Sequence, residues 1–290
     1  MTTRTWTTLD LLKTTAEFFN GKQLASPRLA AERLLAHAMG CRRVDLYLAT
    51  EKTVEERVLE AYRVLVRAYA AGEPLQYVIG EAEFMGLTFA VDRRALIPRP
   101  ETELLVDAVE KRLPQVAGPA PTVLELGAGS GAVAVTLAVR VPNAEVWTTE
   151  ASPGAAALAA ANARLHGVAE RVHVLVMDRF EALSPELGGA MTCLVSNPPY
   201  VTTTEMAALP AVVRDHEPHA ALHGGVDGLD YYRYLCTRGL HFLAPGGTLA
   251  VEIGAGQGAA TQALFRDAGL GSVTLLQDYA GLDRIVLGTK

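Results

Sequence analysis

Apolar residues over the first 70 positions recur three or four residues apart, which is the spacing of one face of an α-helix. Start and stop signals delimit three helices there. One covers about residues 9–19, one runs from an N-cap at Ser26 before Pro27 to Gly40, and one opens with the capping box Thr53-x-x-Glu56. We therefore predict a small helical domain over residues 1–73, with no catalytic constellation in it.

A change of pattern follows at residues 71–74. Residues 76–91 alternate loosely between apolar and polar positions and contain two glycines, which predicts a β-hairpin linker over 74–95 between two domains. Two prolines, Pro98 and Pro100, then stiffen the segment 96–103, and a helix is expected over about 101–113.

From residue 121 onward, short apolar runs alternate with stretches of helical periodicity. The predicted strands are 122–126, 144–149, 172–176, 191–196, 247–253, 272–278 and 283–288, and the predicted helices are 131–140, 153–165, 229–242 and 256–268. Such alternation indicates an α/β domain with a doubly wound, mostly parallel sheet that binds ligands at the carboxyl ends of its strands. Residues 279–282 are too few for a parallel crossover, so one strand near the end should be reversed. This arrangement favours a methyltransferase over a dehydrogenase, in a catalytic domain over residues 96–290.

Composition narrows the function classes. Of the 290 residues half are hydrophobic, and the formal net charge of −6 lies wholly beyond residue 90. No cluster of Lys and Arg resembles the basic face with which proteins grip nucleic-acid phosphates, so direct nucleic-acid binding is not expected. The first residues lack the apolar core of a signal peptide, and no run of 18 apolar residues predicts a membrane span. Three scattered cysteines (Cys41, Cys193, Cys236) form no disulfide framework. We expect a cytoplasmic monomer.

A glycine-rich turn, Gly127-Ala128-Gly129-Ser130-Gly131, follows the first strand of this domain. Glycines let the backbone approach a ligand where a Cβ would collide, and the next helix begins with free N–H groups. The G-x-G-x-G spacing lacks the third glycine of the dinucleotide-binding pattern, because Ala132 follows Gly131. A purely structural turn is the alternative.

Two acidic residues follow the next two strands. Glu150 ends the second strand and can accept hydrogen bonds from both ribose hydroxyls of a nucleoside. The alternative for Glu150 is a helix-capping acid, because Ser152 and Pro153 open a helix just after it. Asp178 follows the third strand and could accept a hydrogen bond from an adenine amino group, although a turn aspartate is equally compatible with the pattern.

The most discriminating pattern is Asn197-Pro198-Pro199-Tyr200, directly after the apolar run 191–196. An Asn between a strand end and two prolines presents its amide oxygen in one direction, and prolines leave nearby backbone carbonyls free as acceptors. Such a site can bind a planar NH₂ group through both hydrogens, with Tyr200 covering its face. We therefore predict Asn197, Pro198 and Tyr200 as catalytic residues for methylating an amide or amino nitrogen. A structural proline turn is the alternative.

A metal site is not expected. His216, His219 and His223 have the spacing H-x-x-H-x-x-x-H, which suits zinc only when all three side chains meet on one helix face or in one compact loop. Pro218 interrupts a helix between the first two histidines, and two glycines follow the third.

At these residues the chain resembles a known family, the release factor glutamine methyltransferases (PrmC or HemK). The similar segments are residues 26–32, 74–80, 96–103, the glycine turn, 197–200, 217–218, 221–222, 224–229 and 252–254. The Asn-Pro-Pro-Tyr unit also occurs in DNA and RNA amino-methyltransferases. The Pro-Arg-Pro stretch at 98–100 and the Gly-Gly-x-Asp-Gly stretch at 224–228 are more particular to this family.

The resemblance implies a class I S-adenosylmethionine-dependent methyltransferase with a seven-stranded sheet and an N-terminal helical domain that helps seat the substrate. The reaction it implies is methyl transfer from S-adenosylmethionine, leaving S-adenosylhomocysteine, to the side-chain amide nitrogen of the glutamine in the Gly-Gly-Gln loop of class-1 peptide chain release factors. Those factors would be the protein's partners.

The resemblance also assigns roles to residues. The cofactor set is Gly127, Ala128, Gly129, Ser130, Gly131, Glu150, Asp178, Arg179 and Asn197. The substrate set is Asn197, Pro198, Pro199, Tyr200, Arg99 and Pro100. Family members often have Asp at the positions of Glu125 and Glu150, and some have an aromatic residue at that of Arg179.

Three other interpretations remain open. A DNA adenine or RNA amino-methyltransferase would share residues 197–200 but should carry a basic face. A nicotinamide dehydrogenase predicts G-x-G-x-x-G and a catalytic His or Tyr/Lys set, and neither is found in the sequence. A non-catalytic binding module is disfavoured because the donor and acceptor sites both look intact.

Overall fold

The structure is a computed structural model that describes residues 5–113 and 120–290. These residues form two compact units, which are described separately. The helical unit contains the residues up to Gly80 together with Ala211–His216, and the sheet unit contains Glu81–Pro210 and Glu217–Lys290. The separate roles assigned above to residues 1–73, 74–95 and 96–290 remain a prediction.

The α-helices are α1 (Thr8–Gly21), α2 (Pro27–Met39), α3 (Glu56–Ala70), α4 (Leu75–Ile79), α5 (Pro100–Glu110), α6 (Ala132–Arg140), α7 (Pro153–Leu165), α8 (Ala211–Arg214), α9 (Asp230–Thr237) and α10 (Gly258–Asp267). Short 3-10 helices cover Arg43–Leu48, Pro185–Leu187, Met206–Ala208, His219–Ala221 and Gly239–His241. The strands are β1 (Glu81–Phe84), β2 (Leu87–Ala90), β3 (Thr122–Leu126), β4 (Glu145–Glu150), β5 (Val172–Val176), β6 (Met191–Ser196), β7 (Leu243–Glu252), β8 (Gly271–Gln277) and β9 (Asp283–Thr289).

Apolar faces of α1, α2 and α3 form the core of the helical unit. Phe19, Leu34 and Leu35 are fully buried there, and Tyr62 donates a hydrogen bond from its hydroxyl to the carbonyl of Ala31. Burying each such large apolar side chain contributes about 1.5–3 kcal/mol, so packing rather than helix propensity holds these short helices.

The helix caps predicted at Ser26 and Thr53 differ from the structure. Ser26 precedes α2 as expected, but its φ of 45° is left-handed and its side chain makes no capping bond, because a capping hydroxyl needs an extended backbone to reach the first turn. Helix α3 begins at Glu56 rather than after a box opened by Thr53, since Thr53 instead forms a β-bridge with Thr7. A capping box is present instead at α1, where Thr7 and Asp10 bond each other's backbone N–H.

The observed β-hairpin, at residues 81–90, is shorter than the predicted one at residues 74–95. Strands β1 and β2 pair antiparallel across a turn at Met85 and Gly86, whereas residues 75–79 form α4. Pro74 precedes this helix and Gly80 ends it in a left-handed conformation, so proline and glycine delimit one turn of helix rather than a strand.

The main sheet has seven strands in the order β5-β4-β3-β6-β7-β9-β8, and β9 is antiparallel to both of its neighbours. The predicted doubly wound sheet with one reversed strand is thus confirmed. Leu126 on β3 pairs with Thr149 on β4 and with Ser196 on β6. The residues that follow these three strands therefore emerge side by side at one edge of the sheet, which is where such folds bind ligands.

Candidate active site

A cavity of about 300 Å³ lies at the carboxyl ends of β3, β4 and β6. Its volume is at the lower end of the range of small-molecule sites. Lining residues are 94–99, 125–130, 132–133, 149–152, 177–179, 197–199, 218 and 220–221, with Thr102, Ala155 and Tyr231. The predicted cofactor residue Gly131 is not among them. Residues 127–130 of the glycine turn and the Asn-Pro-Pro segment thus line one cavity, although Ser130 and Asn197 are 67 positions apart along the chain.

The glycine turn forms one wall of the cavity. Gly127, Gly129 and Gly131 have φ angles of 85°, 54° and 83°, a left-handed conformation that side chains rarely adopt. A Cβ on Gly127 or Gly129 would meet no atom within 4 Å, so both face open space. A Cβ on Gly131 would lie 3.1 Å from Ala159 Cα, so this glycine instead serves the packing of α6 on α7.

Asn162 on α7 holds this turn in place and was not foreseen from the sequence. It is fully buried, and its Nδ2 donates to the carbonyl of Ser130 at 2.8 Å. The same side chain exchanges two hydrogen bonds with the backbone of Ala90 on β2. The available signal was an asparagine in an otherwise alanine-rich helix. Such a helix packs closely, and a polar group buried in it needs hydrogen-bond partners.

Glu150, at the end of β4, holds the glycine turn through a hydrogen bond to its backbone. Its Oε2 accepts a hydrogen bond from the Gly129 N–H at 2.9 Å, and its Oε1 accepts one from the Ser152 N–H at 2.9 Å. The helix α7 is capped by Ser152, whose hydroxyl accepts from the Ala155 N–H, and Glu150 bonds only the N–H of that capping residue. A carboxylate has lone pairs for further donors, and Glu150 lines the cavity, so it can hold the turn and accept hydrogen bonds from a ligand.

Asp178 and Arg179 lie at the next strand end and also line the cavity. The Asp178 side chain is largely exposed and its Oδ1 is 4.0 Å from Arg179 Nε. Arg179 has a left-handed φ of 50°, and its guanidinium lies over the ring of Tyr234, 4.9 Å from the centroid, and over that of Tyr231. Cation–π contacts of this kind hold the guanidinium at the rim of the cavity.

Asn197 follows β6, and Pro198 and Pro199 line the cavity with it. The Asn197 Nδ2 donates a hydrogen bond to Thr102 Oγ1 at 3.0 Å. In the part of the chain that the structure describes, no donor bonds the Oδ1 of Asn197 or the backbone oxygen of Pro198. Two acceptors therefore remain available at this wall, as expected of a site for an NH₂ group.

Two sequence-predicted substrate residues are placed elsewhere. Among the described residues, those that line the cavity do not include Tyr200 or Pro100. Tyr200 packs against the buried apolar cluster of the sheet unit, which includes Tyr232 and Ile253, and its hydroxyl is 3.5 Å from Glu252 Oε1. Burial raises the pKa of this phenol. Pro100 is the first residue of α5, a position that suits its fixed φ.

The segment 224–228 packs closely against the backbone of Pro199 and Tyr200. A Cβ on Gly224 would lie 2.6 Å from the Pro199 oxygen, and one on Gly228 would lie 2.3 Å from the Tyr200 oxygen. Only glycine permits such approaches. Gln257 Nε2 donates to the Tyr200 carbonyl at 3.0 Å, so the turn is fixed on this side as well.

Arg99 is held by a buried acid that sequence reasoning had not assigned. Its Nη2 lies 2.5 Å from Glu217 Oε1, and the Glu217 Oε2 accepts a hydrogen bond from the Ile97 N–H. The Glu217 side chain is almost fully buried, which only a paired and hydrogen-bonded carboxylate tolerates. The ion pair fixes the Pro-Arg-Pro segment at the cavity.

Two further buried carboxyl groups, those of Glu125 and Glu252, have raised pKa values. Burial raises the pKa of Glu125, which lines the cavity and accepts a hydrogen bond from Thr148, to about 8. Burial likewise raises the pKa of Glu252 to about 7, although the Thr102 hydroxyl opposes the shift.

Within residues 5–113 and 120–290, no group of three or more His, Cys, Asp or Glu side chains is arranged to hold a metal ion. In the same residues no helix has the length and apolarity needed to cross a membrane.

Fold and site together define a methyltransferase. Residues 100–219 match the methyltransferase small domain, and residues 10–80 match the PrmC N-terminal domain. A crystal structure of a methyltransferase from Pyrococcus furiosus shares the fold, with a TM-score of 0.53 at 16% identity, covering 80% of this chain and 98% of that one.

Two curated relatives match almost end to end. A release factor glutamine methyltransferase from Chlorobaculum tepidum is 40% identical over 285 residues, 97% of this chain and 96% of the relative. One from Geobacter sulfurreducens is 42% identical over 283 residues, 98% of this chain and 96% of the relative. The chain belongs to the release factor glutamine methyltransferase family.

Proposed function

We propose that this protein transfers the methyl group of S-adenosylmethionine to the side-chain amide nitrogen of the glutamine in the Gly-Gly-Gln loop of class-1 peptide chain release factors. The observation that carries the proposal is that Asn197 and Pro198 share one cavity with the glycine turn. An acceptor site for an NH₂ group and a cradle for a nucleoside are then close enough to act on each other.

The residues present fit S-adenosylmethionine. The Cβ positions of Gly127 and Gly129 are open, so a ligand can approach their backbone, and the Glu150 carboxylate at the adjacent strand end is suited to ribose hydroxyls. Asp178 and Arg179 are assigned to the adenine end of the same ligand. When bound, S-adenosylmethionine supplies a methyl group on a positively charged sulfur, which keeps the bonding electrons and leaves as a thioether.

The protein's own contribution is to orient a weak nucleophile. A glutamine amide nitrogen attacks poorly because its lone pair is delocalised into the carbonyl. In our proposal the Asn197 Oδ1 and the Pro198 carbonyl each accept one N–H of the substrate, which directs the nitrogen lone pair along the line of methyl transfer. Such positioning is worth up to about 7–11 kcal/mol, far more than the ~0.5–1.5 kcal/mol of a net hydrogen bond. The nitrogen then loses a proton to water.

The test is a side-by-side methylation assay. The purified protein is incubated with S-adenosylmethionine carrying a labelled methyl group and, in separate reactions, with a class-1 release factor, with the same factor carrying Gln→Glu in its Gly-Gly-Gln loop, with duplex DNA and with RNA. We expect one labelled methyl group, located by tandem mass spectrometry on the loop glutamine of the unaltered factor alone. Label on adenine in DNA or RNA, with none on the factor, would establish the nucleic-acid alternative instead.

A further inference from the structure

Asn197 is the outer end of a hydrogen-bonded chain that runs into the interior of the sheet unit. Its Nδ2 donates to Thr102 Oγ1 at 3.0 Å, and Thr102 Oγ1 donates to Glu252 Oε2 at 2.6 Å. Thr102 and Glu252 are only 3% and 2% exposed. The three residues come from the end of β6, the first turn of α5 and the end of β7, and β7 lies beside β6 in the sheet.

The chain has a direction. A threonine hydroxyl has one proton, which Glu252 accepts at Oε2 while the Tyr200 hydroxyl lies at Oε1. The direction of the chain therefore belongs to the ionised form of Glu252, which can only accept. Thr102 therefore gives its proton to Glu252 and turns a lone pair toward Asn197. The end of the carboxamide that faces Thr102 must then be the NH₂ group, and the oxygen faces away. In the described ranges of the chain, no donor bonds this oxygen.

Packing alone does not select this orientation. The NH₂ group and the oxygen of a carboxamide have nearly the same size, so a rotated Asn197 would fit the same space. Hydrogen-bond polarity is what distinguishes the two rotamers. A rotated carboxamide would present its NH₂ to the substrate NH₂, and two donors cannot bond each other.

We propose that Thr102 and Glu252 are positioning residues for methyl transfer, because they fix which end of the Asn197 carboxamide faces the substrate. This inference rests on the proposed function. Tyr200 flanks the same acid, with its hydroxyl 3.5 Å from Glu252 Oε1. Glu252 is thus flanked by a hydroxyl at each oxygen, an arrangement that suits an acceptor on both sides. Neither Thr102 nor Glu252 touches the reacting atoms in this account.

The test compares two buried threonines in the sheet unit. Thr102→Val keeps the shape of the side chain and removes the hydroxyl, and we expect it to lower kcat about 10- to 100-fold because the carboxamide is no longer held. Thr102→Ser retains the hydroxyl and should restore most of the rate. Thr261→Val is the matched control, since Thr261 is fully buried on α10 and its Oγ1 has no hydrogen-bond partner in the described residues. It should leave kcat unchanged.

Two further measurements separate positioning from general damage. The dissociation constant of S-adenosylmethionine, measured by calorimetry, should stay within about twofold in every variant, because cofactor binding does not use the Asn197 orientation. In an Asn197→Ala background, Thr102→Val should have no additional effect on kcat, because a residue that acts through Asn197 has nothing left to orient. If Thr102→Val does not fold by circular dichroism, Thr102→Ala takes its place in the same comparison.

The outcomes are distinct. Wild-type protein that methylates no release factor overturns the proposed function, and this inference with it. Wild-type activity combined with equal kcat for Thr102→Val and Thr261→Val overturns the inference alone. So does a full additional loss of kcat when Thr102→Val is added to Asn197→Ala, since that result would give Thr102 a role independent of the carboxamide.

Discussion

Gly224 lies against the backbone of Pro199 so closely that a Cβ on Gly224 would be 2.6 Å from the Pro199 carbonyl oxygen. Real Cβ atoms do not approach a backbone oxygen to this distance. The segment 224–228 therefore acts as a template for the turn that carries Asn197, and its glycines are required by proximity to that turn. This connects a glycine-rich stretch with no catalytic atoms of its own to the geometry of the acceptor site.

We expect Gly224→Ala to impair the site specifically. The added methyl group must displace the turn. Because the site is then overpacked, the free energy of unfolding should fall by about 1–3 kcal/mol. Because Asn197 moves with the turn, kcat should fall at least about tenfold. Gly256→Ala is the control, because its Cβ would meet nothing within 4 Å and its φ is not left-handed. Urea denaturation and steady-state methylation of a release factor measure the two effects. Equal behaviour of the two variants would show that the turn does not depend on Gly224.

Glu150 should determine cofactor affinity. Because hydrogen bonds to a charged group are worth about 1.5–3 kcal/mol, Glu150→Ala should weaken binding of S-adenosylmethionine about 10- to 100-fold in calorimetry. Glu145→Ala provides a control on the same strand, since Glu145 begins β4 and bonds His173, at the end remote from the cavity. An unchanged dissociation constant for Glu150→Ala would leave Glu150 only with its hydrogen bonds to the Gly129 and Ser152 N–H groups.

The buried Glu125 predicts an unusual pH dependence of stability. Its pKa is raised to about 8 in the folded protein, above the ordinary value of 4.5, so between these values the folded state binds more protons than the unfolded state. The free energy of unfolding should therefore fall as pH rises through that window, and Glu252 contributes in the same direction. Glu125→Gln should flatten the profile, as measured by urea denaturation between about pH 5 and pH 8. A wild-type profile that rises with pH and is unaffected by Glu125→Gln would contradict this.

The sequence was sufficient for the sheet and for the position of Asn197 at the end of a strand beside the glycine turn. Strand 191–196 and its Asn-Pro-Pro-Tyr end were predicted with their observed bounds, because a buried strand and two prolines are local signals. The short connection expected at residues 279–282 likewise predicted that the last strand is reversed.

The partners of Asn197 were not predictable in the same way. Thr102 and Glu252 are 95 residues before and 55 residues after it, and only the strand order brings them together. A charged residue at the end of an otherwise apolar strand was the available signal for Glu252. The helix start at Thr53 was wrong for a related reason, because Thr53 forms a β-bridge in the folded chain. The start at Ser26 and Pro27 was right, but the left-handed backbone of Ser26 leaves it without the expected side-chain cap.

The central claim is that the Asn197 carboxamide orients the acceptor nitrogen and does little for the cofactor. The most direct test measures single-turnover methylation of a release factor and calorimetric binding of S-adenosylmethionine on the same preparation of Asn197→Ala. We predict that the rate falls by at least about 100-fold while the dissociation constant changes by less than about threefold. Weakened cofactor binding with a near-normal rate at saturating cofactor would contradict the account and assign Asn197 to the donor instead.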